Sequence, residues 1–293
     1  MLPRSPHLQF VPPRVEKARG RLEAMIWRVD DTPLPVAQSK SSREETFVGD
    51  AAGLAFLPVE QTPHVWGQRF DQCWWKVQIP GAESEASPAR ARYLCWRDQG
   101  EATAYFEGQA VAGIDPGHTM LALPEALWSA AGELLIESIC CRTGIWVPGA
   151  GQGISDAGSV FEGAFLATRD DDAWAAYFDV EVLLDLAVAL HRKDHPLDGD
   201  WPSAFGYRPP LEHASPVCRR IIDGLDRAVD ALDHDGPAAL REVTQKLLAD
   251  LPADATAMDA TLTGHAHIDL VWLWPERTGE FKAVHSLANV LDV

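Results

Sequence analysis

Positive charge is scarce in this sequence. Its 25 Lys and Arg face 43 Asp and Glu, for a formal net charge of −18. Phosphate backbones are bound by clustered Lys and Arg, so this balance argues against a nucleic-acid partner. It also disfavours an anionic membrane surface, and a neutral or cationic ligand fits better. No stretch approaches the roughly 18 apolar residues of a membrane span. The opening MLPRSPHLQFVPPRVEKARG lacks the apolar run of about 7–15 residues that a signal peptide carries. Cysteine is sparse and odd in number (Cys73, Cys95, Cys140, Cys141, Cys218), with no CxxC spacing. That pattern supports neither a disulfide framework nor a zinc ribbon. Free, mostly buried thiols in a reducing compartment are expected, hence a cytoplasmic protein.

What is present is ordinary for a globular chain: 46% hydrophobic and 23% charged residues over a length of 293, which suggests about two domains. Residues 14–28 place Val15, Ala18, Leu22, Met25 and Ile26 at helical spacing, ended by DDTPLP. Residues 31–63 are rich in Pro, Ser, Gly and charge and read as linker and loop. From about 66 the period changes. WWKVQIP (74–80), ARYLCW (91–96), ATAYFEGQAVAG (102–113) with its break at Glu107-Gly108, LALPEALW and GELLIESICC supply short strands separated by turns. Their spacing suggests a β-sandwich. The Gly-rich GAGQGISDAGSV (149–160) is read as a loop, not a phosphate cradle.

Helical periodicity returns at 171. DDAWAAYFDVEVLLDLAVALHRKD (171–194) has acids at its start and bases at its end, complementing the helix dipole. Ser215-Pro216 reads as an N-cap with proline at the first helical position. Val217, Ile221, Ile222, Leu225, Val229 and Leu232 follow on one face. GPAALREVTQKLLADL (236–251) is a third helix, antiparallel across the DHDGP turn.

The densest chemistry lies in GHAHIDLVWLWP (264–275). Residues two apart on a strand share a face, so His265, His267 and Asp269 can point the same way. His267 and Asp269 then offer nitrogen and oxygen donors to one cation, a set that suits zinc. Two donors are too few, and the remainder must come from elsewhere in the fold. Trp272 and Trp274 beside such a metal suggest a ligand with an apolar face and many hydroxyls. Pro275 opens a helix running through ERTGEFKAVHSLANVLDV.

GHAHIDLVWLWP followed by a charged helix resembles the start of the catalytic domain in α-mannosidases of glycoside hydrolase family 38, nearest to their cytosolic and bacterial long-chain branch. The WWKVQIP strand and the YFEGQAV hairpin resemble, less specifically, the region that precedes it. The resemblance implies that His267 and Asp269 are two zinc ligands, that Trp272 packs against the mannose ring, and that His265 lies beside the ligands without being one. It implies no catalytic residue in this chain. Nucleophile, acid/base and the other ligands would fall beyond residue 293, leaving an N-terminal fragment inactive alone. ERTGEF (276–281) departs from the family's ERETxRK-like run.

The expected fold class is therefore α+β: an N-terminal helix and linker (1–62), an antiparallel β-sandwich (63–170), a helical region (171–258), and the first β/α unit of an incomplete β/α catalytic domain (259–293). Residues 259–293 are expected to fray, because a lone strand and helix cannot bury their apolar faces. The implied cofactor is zinc. The implied partner is an α-mannoside oligosaccharide, with no nucleic acid and no membrane, and with homo-oligomerisation of the full-length form left open. Two other readings compete. HxH also begins metal-dependent amidohydrolase barrels, where His265 and His267 would be the ligands, although tryptophans at 272 and 274 have no required place there. The sandwich could instead be a non-enzymatic carbohydrate-binding module. Exposed aromatics would support that, and burial of Trp66, Trp74, Trp75, Trp96 and Trp128 in the core is the expected outcome.

Overall fold

A computed structural model describes residues 10–82, 91–141, 156–194, 214–251, 268, 271 and 274–291. It is mixed α and β, with antiparallel sheets, and divides into two compact units. No described helix is long and apolar enough to cross a membrane. All five cysteines are buried thiols outside any disulfide.

The first unit, residues 1–28 with 169–260, is helical. It contains α1 (Val11–Ile26), α3 (Asp171–Asp194), α4 (Pro216–Asp235) and α5 (Pro237–Asp250). Helix α1 starts on prolines, whose missing N–H groups would have no helical acceptor there. It buries Val15, Ala18, Leu22 and Ile26, spaced three to four residues apart, as expected of one helix face. The Ser215 side chain accepts the backbone N–H of Cys218 at 3.3 Å, capping α4. Ile221, Ile222, Leu225, Val229 and Leu232 then join α1 and α3 in one core. Gly236, at φ +87°, turns the chain from α4 into α5. Thr244 on α5 donates its hydroxyl to Asp179 on α3 at 2.7 Å.

The second unit is residues 29–168 with 261–293. Strand β1 (Trp27–Pro33) leads into it. There follow β2 (Val36–Ser39), α2 (Val48–Ala51), β3 (Phe56–Pro58), β4 (His64–Trp66), β5 (Gln72–Ile79), β6 (Tyr93–Asp98), β7 (Glu101–Phe106), β8 (Gln109–Ile114), β9 (Met120–Ala122), β10 (Gly132–Ile139), β11 (Ser159–Arg169) and α6 (Glu276–Leu291). One sheet runs β1-β11-β6-β9, with β4 also on β11; the other runs β3-β2-β5-β10-β7-β8. Glu107 and Gly108, both at positive φ, form the two-residue turn between β7 and β8, as the Glu-Gly break suggests.

Two of the local expectations change. Residues 31–63 are not simply linker, since within them β2 pairs with β3, and β2 also pairs with β5 further along the chain. LALPEALW is not one strand: β9 ends at Ala122, and a single 3-10 turn covers Glu125–Leu127 after Pro124.

The two sheets share an aromatic core. Trp75 of β5 meets Trp66, Trp96 and Phe161 of the other sheet, with ring centroids 5.5, 5.5 and 4.9 Å away. Trp66, Trp75 and Trp96 are buried in this core, Trp128 is half-buried against it, and Trp74 is buried on the other face of β5 beside Ala51 and Tyr105, so the aromatics pack inside the fold and do not form a stacking platform on its surface.

Asp98 is buried at the edge of this core. It accepts Trp66 Nε1–H at 3.1 Å, Ser159 Oγ–H at 2.9 Å and its neighbour's backbone N–H at 2.9 Å. Burial outweighs these bonds and pushes its carboxyl up to about 6. The folded state therefore takes up a proton that the unfolded chain does not bind until near pH 4. The cost of burying the charge is present above pH 6 and is relieved as pH falls toward 4. Between pH 7 and pH 5, Asp98 should add roughly 1 kcal/mol of stability. Urea unfolding at both pH values, with Asp98→Asn as reference, checks this. The wild-type gain should vanish in the variant, and an equal gain in both proteins would contradict it.

Candidate metal and sugar segment

His265, His267, Asp269 and Trp272 lie outside the described residues, as do residues 149–155 of the Gly-rich loop. Within the motif itself the structure describes Ile268 and Trp274, both half-buried, Val271, which is exposed, and Pro275. The carbonyl of Pro275 accepts the backbone N–H groups of Thr278 at 2.9 Å and Gly279 at 3.3 Å. The first turn of α6 is thus formed despite the ERTGEF departure. Helix α6 begins where Pro275 was expected to open it.

The expectation that the end of the chain frays without a barrel is corrected for α6, because the sandwich supplies the missing surface. Alternation along β5, β10 and β7 sends Trp75, Ile136 and Ala104 into the core and Trp74, Glu137 and Thr103 to the opposite face. Gly113 of β8 pairs with Thr103 and continues that outer row. There α6 lies down. Gly113 donates its backbone N–H to Asn289 Oδ1 at 2.8 Å. A Cβ on Gly113 would stand 2.4 Å from the His285 carbonyl oxygen, so only glycine allows this approach. His285 is buried, and its Nε2 meets the Ile114 carbonyl at 3.1 Å. The carbonyl can only accept, so Nε2 carries the proton. Burial holds the imidazole below its usual range, keeping the ring neutral.

Further along α6, Phe281 packs with Ile139, Cys141 and Phe70. Arg277, in the first turn, donates to the backbone carbonyls of Arg43 and Phe70. Lys282 pairs with Glu101, the first residue of β7. On another side the Lys282 ammonium stands 4.4 Å from the centre of the Trp274 ring. These partners are far from α6 in sequence: Glu101 is 181 residues from Lys282. Sequence reasoning missed them for that reason. The clue available was that β7 alternates Glu101, Thr103 and Tyr105 on one face, polar enough to need a partner if covered.

Among the described residues no group of three or more His, Cys, Asp or Glu is placed to hold a metal. A cleft beside α4 and α5 is lined by Arg220, Arg227, Glu242, Lys246 and Asp250. Its charges are of both signs, and it brings together no nucleophile with a base. The burial of the sandwich tryptophans removes the feature that would favour a carbohydrate-binding module.

No family model matches the chain. It is distantly related in sequence to human α-mannosidase 2C1, at 25% identity over 266 residues, covering 89% of this chain and 24% of the relative. The mouse α-mannosidase 2C1 is 24% identical over 233 residues, covering 78% of this chain and 21% of that protein. The chain thus spans about a quarter of the length of these curated relatives. A solved structure, an FMN-binding β-glucuronidase from Facaelibacterium prausnitzii L2-6, matches 49% of this chain and 22% of its own at 14% identity, with a TM-score of 0.34. So loose a likeness carries no argument about function.

Proposed function

We propose that this chain belongs to a zinc-dependent retaining α-mannosidase and supplies the entry to its catalytic site, with His267 and Asp269 as metal ligands and Trp272 against the sugar ring. One observation carries the reading. The dense motif GHAHIDLVWLWP, opened into a helix by Pro275, stands in a chain whose similarity to α-mannosidases covers 89% of its length. The donor set fits the metal, since imidazole nitrogen and carboxylate oxygen are ordinary zinc ligands and the two residues stand two positions apart in sequence.

In this reading a bound zinc ion would hold hydroxyls of the sugar near the reacting carbon. His267 would contribute a neutral imidazole and Asp269 a negative carboxylate. Trp272 would cover the apolar face of the ring and exclude water from it. A retaining glycosidase also needs two carboxyl groups about 5–5.5 Å apart, one as nucleophile and one as acid/base. The motif assigns neither role to residues 1–293. A neutral α-mannoside suits an acidic protein better than an anionic substrate would. Homo-oligomerisation remains open to a direct measurement of mass in solution.

Turnover of an aryl α-mannoside tests this division of roles. Residues 1–293 with zinc should release no aryl alcohol. A longer α-mannosidase relative in which 259–293 replace the matching segment should keep zinc-dependent turnover. Clear metal-dependent release by residues 1–293 would contradict the assignment of roles. Loss of turnover in a folded chimera would contradict the mannosidase reading.

A further inference from the structure

We propose that residues 43–55 form a strap that opens and closes over Trp74 and Tyr105, and that the charge on Glu137 sets how firmly it closes.

The strap is anchored at both ends and lightly held between them. Ser42 exchanges backbone bonds with Gln72 at 2.9 and 2.7 Å, and Arg277 of α6 holds the Arg43 carbonyl. At the far end β3 is paired to β2. Between these points Ala51 alone is buried, with Thr46, Val48 and Leu54 half-buried and the rest exposed. The backbone bonds around α2 are local, from Asp50 and Ala51 to Phe47, from Gly53 to Asp50 and from Leu54 to Ala51. Such a segment can leave the sheet as a unit, because few buried contacts oppose it.

One clasp holds its middle. The Gln72 side-chain amide accepts the Thr46 N–H at 2.8 Å and donates to the Thr46 carbonyl at 3.0 Å, as a paired strand would. Trp74 Nε1 donates to the same carbonyl at 3.1 Å. Beneath, Trp74 and Tyr105, with ring centroids 5.6 Å apart, pack with Ala51, Val48 and Leu54. The clasp is itself oriented by Glu137, whose Oε1 accepts the other N–H of the Gln72 amide at 2.6 Å. Glu137 Oε2 accepts the Tyr105 hydroxyl at 2.9 Å.

Gln72 and Tyr105 thus face Glu137 from β5 and β7, and the strap faces it with Glu45. Further along the sheet face Lys76 is taken up by Glu133 and Lys282 of α6 by Glu101. Among the described residues no cation is paired with Glu137. Burial raises its carboxyl above the usual range and the Glu45 charge adds to this, while the bonds from Gln72 and Tyr105 pull the other way. A neutral Glu137 keeps both contacts. Its protonated oxygen donates to the Tyr105 hydroxyl, which accepts as readily as it donates, and the other oxygen still accepts from Gln72. Opening brings Glu137 to water, where it binds a proton less tightly. Protonation therefore favours closure: this contribution is full below the ordinary carboxylate range and is lost as pH rises through the raised value.

Residue-resolved amide exchange of residues 1–293 at about pH 5.5 and pH 8 gives the test, with rates corrected for the pH dependence of free amides. In the wild type, protection of the Thr46 amide should fall roughly threefold or more across this range, since each unit by which closure raises a carboxyl is worth about tenfold in the closing equilibrium. Glu137→Gln carries no charge and keeps an acceptor for Gln72, so its Thr46 protection should be high and equal at both pH values. Asp98 titrates in both proteins, so the comparison isolates Glu137. Glu45→Gln, on the exposed strap, should lessen the fall. Gln72→Ala should expose the Thr46 amide at both pH values while β7 and β10 stay protected as in the wild type. The proposal is overturned if wild-type protection holds or rises with pH, if Glu137→Gln falls as the wild type does, or if Thr46 protection survives in Gln72→Ala. It is overturned equally if β10 opens in step with Thr46, because the whole unit and not the strap would then be moving. Should Gln72→Ala fail to fold, the comparison of the wild type with Glu137→Gln decides alone.

Discussion

Replacing Trp75 by alanine is expected to destabilise the sandwich by about 3–5 kcal/mol, the usual cost of emptying a large aromatic site in a core. A domain is commonly stable by only about 5–15 kcal/mol, so this one change should bring the second unit close to unfolding. The reason is the position of the ring. Trp75 is fully buried and touches three aromatic side chains of the facing sheet, Trp66, Trp96 and Phe161. Those side chains come from β4, β6 and β11, which are tied into one sheet by the ladders of β4 and β6 onto β11. They cannot all collapse inward to fill the space. Trp75 Nε1 has no hydrogen-bond partner, so Trp75→Phe removes volume without breaking a bond and should lose less than half as much. Urea unfolding followed by near-ultraviolet circular dichroism measures both variants. A loss below about 1 kcal/mol for Trp75→Ala would mean that the two sheets do not depend on this contact.

Much of this architecture is legible in the sequence, for local reasons. The acids that open 171–194 and the bases that close it bracket α3 without error, since dipole compensation acts within one turn of each end. Ser215-Pro216 marks the start of α4 because the cap is a contact between neighbours. Strands β5, β6, β7, β8 and β10 show because alternation and a two-residue turn are visible over a few positions. The segment 31–63 is harder to read. Prolines 33, 35 and 58 suggest loop, yet Pro33 and Pro58 end strands, positions where proline needs no ladder partner. The four-residue β2 is held by distant pairings with β3 and β5 more than by its own composition.

The docking of α6 was invisible for a related reason. Its surface is assembled from Glu101, Gly113, Ile139 and Phe70, residues that only the folded sheet brings together. Nothing in ERTGEFKAVHSLANVLDV says which surface will cover Phe281 and His285. The site is legible in a third way. Its spacing is plain in GHAHID, while its metal and sugar roles come from the resemblance and from distant relatedness to α-mannosidases.

The loss of zinc on removing Asp269 should be the larger of the two functional effects in this segment, because it deletes a charged ligand bound directly to the cation. His267→Ala deletes the neighbouring nitrogen donor and should act similarly. His265 stands two positions earlier, where the mannosidase reading gives it no bond to the metal. Its removal should weaken binding only by roughly 10–100-fold at most, as for a group that orients a ligand. An amidohydrolase-type site reverses the order, making His265 and His267 equivalent and Asp269 dispensable.

Zinc content of a longer α-mannosidase relative in which 259–293 replace the matching segment, beside its Asp269→Ala, His267→Ala and His265→Ala variants, with circular dichroism confirming that each remains folded, is the most direct measurement. The account predicts one zinc bound by the unmutated chimera, none detectable for Asp269→Ala or His267→Ala, and a weakened site for His265→Ala. Full zinc retention by Asp269→Ala together with its loss in His265→Ala would contradict it.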